Sequence, residues 1–203
     1  MYTFSYFQTD QQDSILRFMH NNSFITLIGY DGEFPVATQV PVKIAIEGDE
    51  IKLTGHIMVK TDHYEAFEKN PKTLAVFTGP HTYVSASVYE TPAAASTWNY
   101  MAVQAKGDIR LLTAEETYDV VKDLTNHYEN PETSPAAFHK MDDAYIQKLL
   151  KAIRGFEIVV THLDHVFKLS QNHNSKNKAA IIENLEKGND VMGHQIASEM
   201  KKI

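Results

Sequence analysis

"TWNYMAVQAKGDIRLL", residues 97–112, reads as one long β-strand, and its reading decides the architecture of the chain. A plain core strand needs only aliphatic side chains, yet this one opens on Thr97, Trp98, Asn99 and Tyr100 and contains the single tryptophan. Successive side chains of a strand point to opposite faces, so Trp98 and Asn99 are assigned to different surroundings. One of those surroundings is a core. Trp98 as a barrel-filling residue is the alternative.

The neighbouring sequence supplies further strands. "SFITLIGY", "PVATQVPVKIAIE" and "IKLTGHIMVK" precede the long strand, joined by "YDGEF" and "GDE". Asp31-Gly32 provides the positive φ angles that a tight hairpin needs. These three are expected to form an antiparallel meander. "TLAVFTG" and "TYVSASVY" continue the series to six strands, which indicates a barrel. Helices are expected at 10–20 ("DQQDSILRFMH"), over "DHYEAFEKNP" up to Pro71, over "AEETYDVVKDLTNHYE" behind a Thr113/Glu116 capping box, and over "DDAYIQKLLKAI". "GFEIVVTHL" and "HVFKLS" return to strand. Ser175 caps "KNKAAIIENLEK", Gly188 ends it, and Asn189 or Asp190 starts a last helix through Met200. The order describes an α+β domain around a mostly antiparallel barrel, one domain over 1–203 with a helical hairpin at about 175–202.

Composition narrows the chemistry. The 203 residues contain no cysteine, which excludes disulfides, thiolate nucleophiles and cysteine-based metal sites and suits a cytoplasmic protein. No run approaches a membrane span. The net charge of −7 opposes non-specific nucleic-acid binding. From Val166 onward six lysines face four acids, a mildly basic tail that leaves a DNA contact open. There is no G-x-G-x-x-G, G-x-x-x-x-G-K-[ST], G-x-S-x-G or H-E-x-x-H pattern. No residue stands out as a general base, so no catalytic residue is assigned. His162 and His165 flank an expected turn and read as exposed rather than metal-binding.

What remains is a set of polar and aromatic runs on expected strands. Burying an unpaired amide or hydroxyl costs about 1–3 kcal/mol, so Gln39, Asn99, Gln171 and Asn172 are exposed, mutually paired or turned toward a polar ligand.

Together the runs resemble the FMN-binding split-barrel family of the PaiB type, described as transcriptional regulators. The resemblance rests on "MYTFSYFQTD" with its acid, "VATQVP", "GHIMVKTDH", "FTGPHTYVSASVY", "STWNY" and "KLSQN", in that order along the chain. It implies a six-stranded split barrel similar to that of pyridoxine-phosphate oxidase, forming a homodimer with FMN in clefts between subunits. The function implied is regulation or a flavin-linked oxidoreductase activity. A protein of the same fold that has lost FMN is the alternative, and His56, His63 and His81 keep haem in view. Carried over by motif, the cofactor residues are Thr38, Gln39, His56, Lys60, Thr61, His63, Tyr83, Ser85, Trp98, Asn99, Lys168, Ser170, Gln171 and Asn172. His56, Lys60, Thr61 and His63 form the phosphate end, where the N-terminus of the following helix also favours an anion. The chain departs from the family at Val59, where an arginine is usual, and at Thr61-Asp62, where Asn-Pro is usual. Ala86 and Val88 replace a proline and a tryptophan.

Overall fold

The computed structural model describes every residue except Thr3, Asp10 and Pro92. The acid of the opening motif and the first residue of the expected 10–20 helix are both Asp10, outside the described residues.

Seven strands form one sheet: β1 (Phe24–Tyr30), β2 (Pro35–Pro41), β3 (Lys43–Glu47), β4 (Glu50–Met58), β5 (Lys72–Val84), β6 (Thr97–Leu111) and β7 (Ile153–Lys168). Their order is β2-β1-β5-β6-β7-β4-β3. β2 and β3 end that order. Six α-helices accompany them among the described residues: α1 (Gln12–Asn21), α2 (Asp62–Lys69), α3 (Ala114–Tyr128), α4 (Asp143–Leu150), α5 (Ser175–Lys187) and α6 (Val191–Met200). The α+β class holds, with seven strands in place of six.

The expected segments regroup for local reasons. "PVATQVPVKIAIE" is two strands, because after Pro41 the chain leaves β1 and Val42, buried, donates its N–H to the Ser23 carbonyl. β2 pairs with β1 and β3 with β4, so the expected three-strand meander is two hairpins at opposite ends of the order. "TLAVFTG" and "TYVSASVY" are one strand through Pro80, whose fixed φ is compatible with extended backbone and costs only one ladder donor. Its last residues leave the sheet as a 3-10 turn at Ala86–Val88. "GFEIVVTHL" and "HVFKLS" likewise fuse into β7, since no glycine or proline interrupts 162–165.

Two compact units make up the chain, and β5, β6 and β7 contribute residues to both. The larger contains His20–Phe77 and Gln104–Leu163. Its core gathers Leu27, Leu53, Ala75, Phe77, Phe156 and Ile158, all shielded from solvent. Each hairpin turns at a glycine: Gly32 at φ +109° and Gly48 at φ +62°. The first is a four-residue loop, 31–34, in which Asp31 Oδ1 accepts the N–H groups of Glu33 and Phe34. Those bonds hold the Asp31 carboxyl below its ordinary pKa. Only Gly32 of the expected pair has positive φ. α3 begins with the anticipated reciprocal capping box, Thr113 with Glu116.

The other unit contains Met1–Met19, Thr78–Val103 and Asp164–Ile203. Met19, Val103, Val166, Ile181 and Ile196 fill its core. α5 is capped by Asn174, whose side chain accepts the Asn177 N–H, and Ser175 is the first helical residue rather than the cap. Gly188 closes α5, and Asp190 caps α6 while its Oδ2 accepts a bond from the buried Thr82 hydroxyl at 2.8 Å. That hydroxyl holds the Asp190 carboxyl below its usual range. No helix among the described residues is long and apolar enough to cross a membrane.

Candidate functional site

The fourteen candidate residues fall into two groups, six in the larger unit and eight in the smaller.

In the larger unit, Thr38 and Gln39 lie on β2 opposite Leu27 and Thr26, Thr38 half-buried and Gln39 exposed. His56 sits on β4 opposite Gly155. Its Nδ1 is buried with no hydrogen-bond partner among the described residues, and burial pushes the ring's pKa below the ordinary histidine value. Such an orphaned atom is a point where a ligand's polar group would be welcome. β4 stops at Met58, so Lys60 is no residue of the expected strand "IKLTGHIMVK". It occupies left-handed backbone at φ +62° and is exposed.

Thr61 caps α2, accepting the Tyr64 N–H at 3.3 Å and donating to the Met58 carbonyl at 2.9 Å. The His63 ring is engaged at both nitrogens, Nε2 with Thr61 Oγ1 at 3.0 Å and Nδ1 with Asp62 Oδ1 at 3.1 Å. The same carboxylate oxygen accepts the His63 N–H at 2.7 Å. Asp62 thus occupies the anion's role at the start of α2. Of the groups assigned to a phosphate, Thr61 and His63 are satisfied by one another and by a built-in carboxylate. As a phosphate cradle this turn does not fit.

In the smaller unit the alternation expected of β6 is realised. Asn99 is fully buried, and Trp98 is 54% exposed, so it does not fill the interior. Its indole lies 6.0 Å from the exposed Tyr83 ring in an edge-on arrangement and 6.3 Å from His81. β5 and β6 therefore present a ring platform to solvent. Ser85 caps the turn at Ala86–Val88 and pairs with the Ser87 hydroxyl at 2.8 Å.

Asn99 is bound by "KLSQN". Its Nδ2 donates to Ser170 Oγ at 2.9 Å, and Ser170 Oγ donates back to Asn99 Oδ1 at 3.1 Å. Ser170 is buried and holds left-handed backbone at φ +60°. Gln171 clamps the same turn, its Oε1 accepting the Leu169 N–H and its Nε2 donating to the Phe167 carbonyl. Asn172 is exposed. Lys168 is half-buried, donating to Thr97 Oγ1 at 2.5 Å with its ammonium 5.8 Å from the Phe7 ring centre. No carboxylate lies within ion-pair distance of it among the described residues, and burial holds its pKa below the ordinary lysine value.

Three contributors were not among the assigned cofactor residues: Thr97, Phe7 and, as part of the ring platform, His81. Thr97 was legible in principle, since it precedes Asn99 by two and shares its face. His165 was misjudged. It is buried, its Nε2 accepts the Thr9 N–H at 2.8 Å, and its carbonyl accepts from Gln8 at 2.7 Å, so it anchors the N-terminal segment.

Solved structures fix the class. The chain superposes on the FAD and heme binding protein of Mycobacterium smegmatis with a TM-score of 0.61 at 14% identity, covering 85% of this chain and 78% of that one. It superposes on the flavocytochrome Anf3 of Azotobacter vinelandii at 0.62 and 12%, covering 88% and 78%. The fold is the α+β split-barrel type. A family model described as "Putative FMN-binding domain" matches residues 1–162, and the chain belongs to that family. It is also 30% identical, over 99% of its length and 97% of the relative's, to the "Protease synthase and sporulation protein PAI 2" of Bacillus subtilis (strain 168).

Proposed function

We propose that the protein is a cytoplasmic homodimer that binds a flavin through its ring system, in regulation or in a flavin-linked redox reaction. The observation that carries this reading is the exposed platform of Trp98, Tyr83 and His81 in a chain of the FMN-binding domain family. An exposed tryptophan against a tyrosine offers the flat apolar surface that an isoalloxazine needs. Lys168 adds an amine without a carboxylate partner among the described residues, and Gln171 and Asn172 lie on the turn that follows it. A bound flavin would supply hydride or single-electron transfer, while the protein residues orient the ring and set its electrostatics.

A second reading has its own support. Asp62 stands where an anion would bind, which favours a ligand held without a phosphate clamp. Riboflavin and FMN separate the two. Titrated by flavin fluorescence quenching, FMN binding at least about tenfold tighter than riboflavin indicates a phosphate contact. Equal affinities support a ring-only site, and quenching by neither rejects flavin binding.

For the regulatory role, protein contacts are favoured over DNA. Of the C-terminal lysines, Lys176, Lys187, Lys201 and Lys202 pair with Glu90, Glu183, Glu186 and Glu199. Little uncompensated positive charge remains to meet a phosphate backbone. A gel shift at low salt that shows tight duplex binding would reverse this, and light scattering in solution tests the dimer.

A further inference from the structure

The Lys168 amine combines features that surface lysines lack. It is half-buried at the end of β7, it hydrogen-bonds a neutral hydroxyl, and an aromatic ring covers it from one side. Lys176 differs: its bond to the Glu90 carboxylate raises its pKa above the ordinary lysine value. Lys168 has no such partner among the described residues.

We propose that Lys168 is a carbonyl-reactive amine, a site where an aromatic aldehyde condenses to an imine between the Thr97 hydroxyl and the Phe7 ring. The neutral amine adds to the carbonyl carbon, forming the C–N bond as the C=O π pair moves to oxygen. The added nitrogen sheds a proton as that oxygen takes one up, giving the neutral carbinolamine, and the Thr97 hydroxyl is placed at Nζ to hydrogen-bond the oxygen. Loss of water then gives the C=N bond, so amine and aldehyde yield imine and one water, with no oxidant or reductant required. Burial favours the uncharged amine that this addition needs. Aldehydes are the fitting electrophiles because they have no leaving group to expel. Acyl transfer would draw on a general base, and no carboxylate or histidine contacts Nζ among the described residues. The Phe7 ring selects an aromatic partner by stacking.

Lys168 is also a residue of the flavin reading, but the amine proposal does not require flavin. The test treats the full chain with limiting benzaldehyde and sodium cyanoborohydride, the added reductant, at about neutral pH, followed by digestion and mass spectrometry. The benzyl adduct is expected on Lys168 at a rate about tenfold above the mean of the other lysines. Labelling of Lys168 at or below that mean overturns the proposal. Thr97→Val, of nearly unchanged shape, is expected to slow labelling at Lys168 severalfold with an unaltered circular dichroism spectrum. An unchanged rate in that folded variant overturns the Thr97–Phe7 cradle. Repeating the labelling with FMN separates this proposal from the flavin assignment. Protection by FMN places flavin over a reactive amine and supports both, whereas selective labelling that FMN leaves unaltered supports the amine alone.

Discussion

Two candidate residues hold left-handed backbone, one in each compact unit, and their circumstances differ. Ser170 at φ +60° is buried, and its hydroxyl exchanges two hydrogen bonds with the fully buried Asn99. Lys60 at φ +62° is exposed on the turn between β4 and α2. A non-glycine residue in this region costs about 1–2 kcal/mol, and that strain persists where surrounding contacts over-determine it. Around Ser170 such contacts are visible, with Gln171 bonded back to the Leu169 N–H and the Phe167 carbonyl. Around Lys60 the neighbouring bonds belong to Thr61, Asp62 and His63. The smaller unit's motif is thus a rigid framework carrying Trp98 and Lys168, and the larger unit's motif is a self-satisfied turn.

Asn99→Ala strikes that framework hardest. It strands the buried Ser170 hydroxyl and opens a void, so unfolding in urea should lose about 3 kcal/mol. A loss under about 1 kcal/mol would show that the pair is dispensable. At Ser170 itself, alanine removes the hydroxyl and keeps a Cβ in left-handed backbone, whereas glycine removes both. Ser170→Ala should therefore cost about 2 kcal/mol and Ser170→Gly about 1 kcal/mol less than that. Equal costs would mean that the backbone there stores no strain.

Lys60→Gly reverses the sign. With the strain relieved and no buried bond lost, stability should rise by about 1 kcal/mol, less the entropy that glycine adds to the unfolded chain. A destabilised variant would reveal a contact for Lys60 and would restore it as a structural member of the site. Its flavin affinity, measured alongside, reports whether the charge contributes to binding.

This contrast also marks what was legible from sequence. Period-two alternation around Trp98 and Asn99 was readable, because a strand fixes which side chains share a face and only one face of this one is buried. The capping box at Thr113 was readable because both of its bonds form within four residues. Positive φ at Lys60 and Ser170 was not, since neither is a residue that prefers it; at Ser170 it goes with a long-range bond to Asn99, and at Lys60 with the turn into α2. The burial of His165 depends on residues about 156 positions away in the chain, Gln8 and Thr9, which no local pattern announces. Nor did the sequence mark the break at Val42, where one expected strand divides into β2 and β3. Family motifs located the candidate residues, but not that Asp62 would satisfy His63.

The smallest effect concerns the one candidate that neither framework satisfies. His56 Nδ1 is buried without a partner among the described residues, and burial lowers the ring's pKa in the folded protein. In the unfolded chain the imidazole titrates near its ordinary value of about 6.5. As pH falls through that value, the unfolded chain takes up a proton that the folded chain refuses, so stability declines. The decline ends only when pH passes the lowered folded value and both states are charged. Above about pH 7.5 both states are neutral and His56 adds no slope. Urea midpoints followed from about pH 8 down to about pH 5.5 should therefore fall more steeply for the wild type than for His56→Gln, by a few tenths of a kcal/mol or more. Superimposable pH profiles would assign the acid sensitivity to other groups.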